Sequence, residues 1–301
     1  MAIHLGFVGH GIFIEGTASG SLGHYSNYPA VNPPAGGLPR AIAGFVAALN
    51  DMAISSVWLQ LFSRGGSLDE DGSGGTRELV DALNRVRIVP VGWGYCHHAN
   101  SATDGALAAD LCGRYGITAF VADVEPGNVV GGVPDKWQKK KFVNFIKSLS
   151  AKFGKDNLAI STFSRLDKHP DTRALMTLVA DQVAAFAPQI YWTFSDPVTF
   201  TEEALASWQK AGIATPIVGT AECYWDRTKP KHPETPPQAD VEAAVAKFVD
   251  KLPNSAWSSL IGLNWYHAGK SYQTESEGGM SEAMIAKIAA AKINTKPFKH
   301  P

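Results

Sequence analysis

The sequence predicts an α/β protein built as a single (β/α)₈ (TIM) barrel domain over residues 1–301. Three observations carry this. Eight short apolar runs alternate with amphipathic segments, the pattern of parallel strands covered by helices. Dividing 301 residues among eight units leaves about 38 per unit, inside the range such barrels span. The glycine-rich fingerprint of a dinucleotide-binding open sheet is absent.

Each element has a local signal. Residues 3–8 read as a first strand running into Gly9-His10-Gly11, followed by a Gly/Ser/Pro-rich loop to Gly37. Pro39 opens a helix with Ile42, Phe45, Val46 and Leu49 at helical spacing. Strand two covers 56–62 and ends in Ser63-Arg64-Gly65-Gly66; a helix follows over 76–84. Strand three, 88–95, leads to Cys96-His97-His98. Ser101 with Asp104 reads as a capping box for the next helix, which Gly116 ends. Strand four climbs from Phe120 to Glu125 and breaks at Pro126-Gly127-Asn128; a helix from about 135 carries Trp137, Phe142, Phe145, Ile146 and Leu149. Strand five is 158–163, ending Ser164-Arg165, and strand six is 187–192. Thr199 with Glu202 reads as the cap of another helix. Strand seven is 216–224, a Lys/Pro/His-rich loop occupies 229–237, and a helix covers 239–251. Strand eight is 260–266, a closing helix is 281–293, and the polar tail 294–301 is expected to fray.

Composition narrows the function. With 27 basic and 28 acidic side chains, the net charge of −1 gives no reason to expect a nucleic-acid partner. No apolar stretch is long enough for a transmembrane segment, and the N-terminus lacks a signal-peptide pattern, so synthesis in the cytoplasm is expected. Cys96, Cys112 and Cys223 form neither a C-x-x-C pair nor a disulfide framework.

The chemistry is expected at the C-terminal ends of the strands. Asp123 and Glu125 stand two apart, so on a strand they share one face. Like charges this close oppose joint ionisation and push a carboxyl group toward the pKa of a general acid. Around them the strand ends supply Arg64, Trp93, Tyr95, His97, Gln189, Tyr191, Trp192, Glu222, Tyr224, Asn264 and Trp265. Rings that stack on sugars beside acids and amides that bond hydroxyls are what a glycan site needs.

The D-x-E of strand four, the Gln189-Ile190-Tyr191-Trp192 run and Trp265 resemble glycoside hydrolase barrels, in particular family-18 chitinases and family-25 lysozymes. The resemblance implies Glu125 as proton donor. It implies Asp123 orienting a substrate acetamido group, Tyr191 holding that group, and Trp265 as a subsite floor. The further upstream acids of the chitinase motif are apolar here, and Asp196 is the candidate for the strand-six acid of the lysozymes. Glu222 at strand seven ranks second, as nucleophile, base or subsite ligand, with a salt bridge to Arg64 or Arg165 as its structural alternative.

The expected activity is hydrolysis of N-acetylated glycan, with bacterial peptidoglycan as the substrate of a phage lysin or injected effector, and no cofactor. Two other classes stand beside it. One is a barrel that binds glycan without cleaving it. The other is a metal-dependent hydrolase with His10, His97, His267 and Asp123 at the mouth; His97 and His98, adjacent on a strand, are expected to point apart.

Overall fold

The computed structural model describes residues 3–130, 132–192, 195–223, 225–226, 238–252, 257, 259–268, 277–278 and 281–291. Eight parallel strands close into a barrel with helices between them. The strands are β1 (Gly9–Ile14), β2 (Ser56–Ser63), β3 (Val89–Tyr95), β4 (Phe120–Asp123), β5 (Leu158–Phe163), β6 (Ala185–Ile190), β7 (Ile217–Glu222) and β8 (Leu260–Tyr266). Each pairs with the next in sequence, and β8 returns to β1 through Gly9 opposite Gly262 and Ile12 opposite Trp265. The helices are α1 (Gly37–Asp51), α2 (Thr76–Arg85), α3 (Ser101–Tyr115), α4 (Lys139–Phe153), α5 (Pro170–Val179), α6 (Pro197–Lys210), α7 (Gln238–Lys251) and α8 (Glu282–Ala289). Among the described residues no helix is long and apolar enough to cross a membrane.

Two apolar layers result. The larger lies between sheet and helices, and the smaller fills the barrel. Inside, Phe13, Trp58 and Trp93 from β1–β3 face Ala159, Ala185 and Ala187 from β5 and β6, so large rings on one wall meet small residues on the other. Residues 3–8 do not form the first strand. Leu5–Phe7 is a 3₁₀ turn, Gly9 has φ +93, and the strand begins there. The turn seats the Phe7 ring 5.8 Å from Trp58, whose Nε1 donates to the Gly6 carbonyl at 3.0 Å, and so plugs the barrel floor.

Other differences concern helix starts. Ser101 is the first residue of α3 rather than its cap, and the Asp104 carboxylate accepts from the Gly65 and His97 amides instead. Burial pushes the pKa of Asp104 up to about 6. Asp196, not Thr199, caps α6, accepting from the Thr199 amide at 3.0 Å. α4 begins at Lys139 because Val129–Val130 first pairs antiparallel with Val133–Pro134. α5, with Pro170 in its first turn, fills the interval between β5 and β6, which carries no predicted helix. The loop 229–237, Tyr224 and the tail 294–301 lie outside the described residues.

Candidate active site

β4 delivers the two acids as its period of two requires. Val121 belongs to the interior layer, Phe120, Ala122 and Val124 to the outer one, and Asp123 follows Val121 inward. Tyr95 of β3 and Ser161 of β5 stand in register with Asp123, so all three occupy one level. From β6, Gln189 Nε2 donates to Asp123 Oδ1 at 3.0 Å and to Glu125 Oε1 at 2.7 Å, with Ser161 Oγ at 3.4 Å. One amide group therefore bridges both carboxylates. The second Glu125 oxygen accepts from Asn128 Nδ2, three residues on in the Pro-Gly-Asn turn.

The electrostatics follow. Burial, and then the facing Glu125 carboxylate, hold Asp123 well above the usual carboxylate range. Glu125 is raised too, by burial, against the opposing effect of its Gln189 and Asn128 donors. Both donors are neutral, so neither supplies a compensating charge. Tyr95, half-buried beside the two acids, has its hydroxyl pKa raised by burial and by Glu125 and Asp123. The mouth above is aromatic: the half-buried rings of Tyr191 and Tyr266 lie 5.3 Å apart, and Tyr266 packs edge-on to Phe13 at 5.7 Å.

Several sequence-predicted residues lie elsewhere. Trp265 is fully buried on the outer face of β8, packed edge-on to Phe248 of α7 at 5.7 Å and bonded to His10. It is a core residue and not a subsite floor. Trp192 likewise packs on Phe248, at 4.9 Å, in the helix layer. Trp93 points inward but is buried, its Nε1 donating to the Ile14 carbonyl at 3.0 Å beneath the mouth. Asn264 is buried inside the barrel, in the space that a side chain at Gly11 would fill. Arg64 is exposed in the turn after β2 with φ +48. Glu222 is buried at the end of β7, level with Tyr266; Arg165 is engaged by Asp167 at 2.8 Å and by Glu203 at the surface. Tyr224 falls outside the described residues.

The proposed metal set does not assemble. His10 is turned to Trp265, with burial lowering its pKa to about 3, while His267 faces Glu15 at 3.7 Å. His97 faces Asp135, and so does His98. The two histidines do not point apart, because β3 has ended at Tyr95 and the backbone has turned; their rings are 4.4 Å apart. Sequence reasoning also passed over Asn128, Ser161 and Tyr266 as site residues. Asn128 was legible, since a turn residue three positions after an acid is placed to reach back to it.

The site is thus a buried acid pair at the C-terminal mouth of a (β/α)₈ barrel. No protein-family profile matches the chain, and no curated protein matches it in sequence. Solved structures do. The fold is similar to a Group IV chitinase of Ostrinia furnacalis, with TM-score 0.60 and 10% identity over 93% of this chain and 97% of that one. It is similar to an endo-β-1,3-glucanase of Amycolatopsis mediterranei, with TM-score 0.56 and 12% identity over 95% and 100%. A chitinase of Chromobacterium violaceum gives TM-score 0.55 and 15% identity over 93% and 98%. At such identities the likeness is one of fold.

Proposed function

We propose that this chain is a glycoside hydrolase acting on N-acetylated glycan, with Glu125 as general acid and Asp123 assisting. The observation that carries the reading is the pair itself: two buried carboxyl groups of raised pKa, bridged by Gln189, at the end of the barrel where such enzymes work. A raised pKa favours the protonated form of Glu125, which gives its proton to the glycosidic oxygen as the bond breaks. Asp123, deeper in the barrel, accepts the acetamido N–H and so orients and polarises the carbonyl oxygen that attacks the anomeric carbon in a substrate-assisted route. Tyr191 and Tyr266 offer the flat apolar surface on which a sugar ring stacks. The fold likeness to chitinases and a glucanase supports glycan over other substrates. Peptidoglycan is the substrate we favour within that class, and the whole chain acts as one catalytic domain.

The test is digestion of purified peptidoglycan and, in parallel, of chitin oligomers, with Glu125→Gln as control. New reducing ends from the wild type alone, on either glycan, establish the chemistry, and mass analysis of the termini names the bond. Binding without products assigns the barrel to glycan recognition instead. Equal hydrolysis by Glu125→Gln removes Glu125 from the mechanism.

A further inference from the structure

Beside the acid pair lies a second cluster that the proposed chemistry does not use. His97 and His98 follow β3, and Asp135 closes the hairpin that follows β4. Asp135 is 1% exposed, and among the described residues no lysine or arginine lies within ion-pair distance of it. Its donors are neutral: the His98 amide at 2.8 Å on Oδ1 and the Trp137 indole at 2.8 Å on Oδ2. A buried carboxylate with only neutral donors is costly and calls for a cation.

The imidazoles face it in a way that calls for the same thing. The Lys136 amide donates to His98 Nδ1 at 3.1 Å, so this nitrogen presents a lone pair. The Asp135 Oδ1 lone pairs stand 2.9 Å from it. Two acceptors in contact need a positive centre between them. On the other side, His97 Nε2 is 3.7 Å from the same oxygen, buried, and without a hydrogen-bond partner. One ligand atom from each of His97, His98 and Asp135 lies within 4.8 Å of the other two.

We infer that His97 Nε2, His98 Nδ1 and Asp135 Oδ1 form a binding site for one divalent transition-metal ion of the zinc type. Two imidazole nitrogens and a carboxylate oxygen are a donor set zinc accepts, with water completing the tetrahedron. Bonds of about 2.0–2.1 Å put ligand atoms about 2.9 Å apart at right angles and about 3.3 Å apart at tetrahedral angles. The 2.9 Å pair opens by about 0.4 Å to reach the tetrahedral spacing, and a small turn of the His97 ring closes the 3.7 Å pair. Binding at Nε2 moves the His97 proton to Nδ1 and releases the long 3.3 Å contact from the Ala99 amide, and binding at His98 Nδ1 takes the lone pair that now accepts from the Lys136 amide. The Trp137 and His98 N–H donors fix the carboxylate, as outer-shell partners of metal ligands do.

The ion ties two loops together. Asp135 is zipped to the turn that carries Asn128, through Asp135 N to Asn128 O and Gly127 N to Asp135 O, each 2.8 Å. Asn128 in turn holds Glu125. A metal here therefore fastens the β3–α3 loop to the segment that positions the acid, without itself being in the reaction.

The experiment is metal loading of the full chain. Protein stripped with EDTA is dialysed against zinc chloride, and bound zinc is measured by elemental mass spectrometry and titration calorimetry. The expected result is one zinc per wild-type chain, with affinity at least about tenfold weaker in His98→Ala and in Asp135→Asn. Cobalt(II) in place of zinc should give visible absorption bands in wild type that both variants lose. His169→Ala, whose ring stacks on Phe163 away from the cluster, should bind as wild type. Glu125→Gln should also bind as wild type, so failure of the glycan assay leaves this result standing. If Asp135→Asn does not fold, the part-exposed His98 carries the test. No zinc on the wild type, or equal zinc on wild type and His98→Ala, overturns the site and leaves a proton between His98 and Asp135.

Discussion

Strands β4 and β8 both end in a polar or aromatic cluster, yet they place it by opposite parity. In β4, unbroken alternation from Val121 carries Asp123 into the barrel. In β8, Ile261 faces the interior, and counting by twos from it would send Leu263 and Trp265 inward as well. The register slips first: Leu260 sits opposite Ile217, but Gly262 sits opposite Val218. That extra residue reverses every later side chain, so Leu263 and Trp265 join the helix layer and Tyr266 enters the mouth. A strand that keeps its period can be read for function, and a bulged one misassigns its residues by one.

This contrast can be broken most severely at β4. Glu125→Gln is expected to lower turnover by about 10²–10⁴-fold, the range for loss of a general acid, measured by reducing-end release. The same variant should be at least as stable as wild type at pH 7. Burial raises the Glu125 pKa, so the folded state holds its proton more tightly than the unfolded chain, and stability falls as pH rises through that window. Glutamine removes that term. A markedly lower melting temperature for Glu125→Gln would show that the pair is structural.

At β8 the two neighbours should separate stability from binding. Trp265→Ala should cost about 3–5 kcal/mol in denaturant unfolding while leaving KM unchanged, because the ring is sealed against Phe248. Tyr266→Ala should raise KM about 2- to 10-fold, from the loss of one stacking surface. The reverse pattern would mean that the β8 register is read one residue wrong.

The smallest effect sharpens the β4 side. Asn128→Ala removes a donor that favours the ionised carboxylate, so the Glu125 pKa rises further. The alkaline limb of kcat/KM should then move to higher pH. A shift to lower pH, or none, would take Asn128 out of the control of the acid.

Much of the molecule is legible in the sequence. Apolar runs marked strands two to eight, Gly116 ended its helix as glycine predicts, and the spacing of Asp123 and Glu125 set both on the inner face. These depend on neighbours along the chain, where backbone geometry fixes direction. Tertiary structure decided the rest. The Gln189 bridge joins residues 64 and 66 positions apart, and Asp135 meets His98 across 37. Trp265 became core and Tyr266 mouth because of one register slip against β7. Local sequence carries the period of a strand; only its pairing with another strand fixes the phase, and the phase decides which side chain reaches the site.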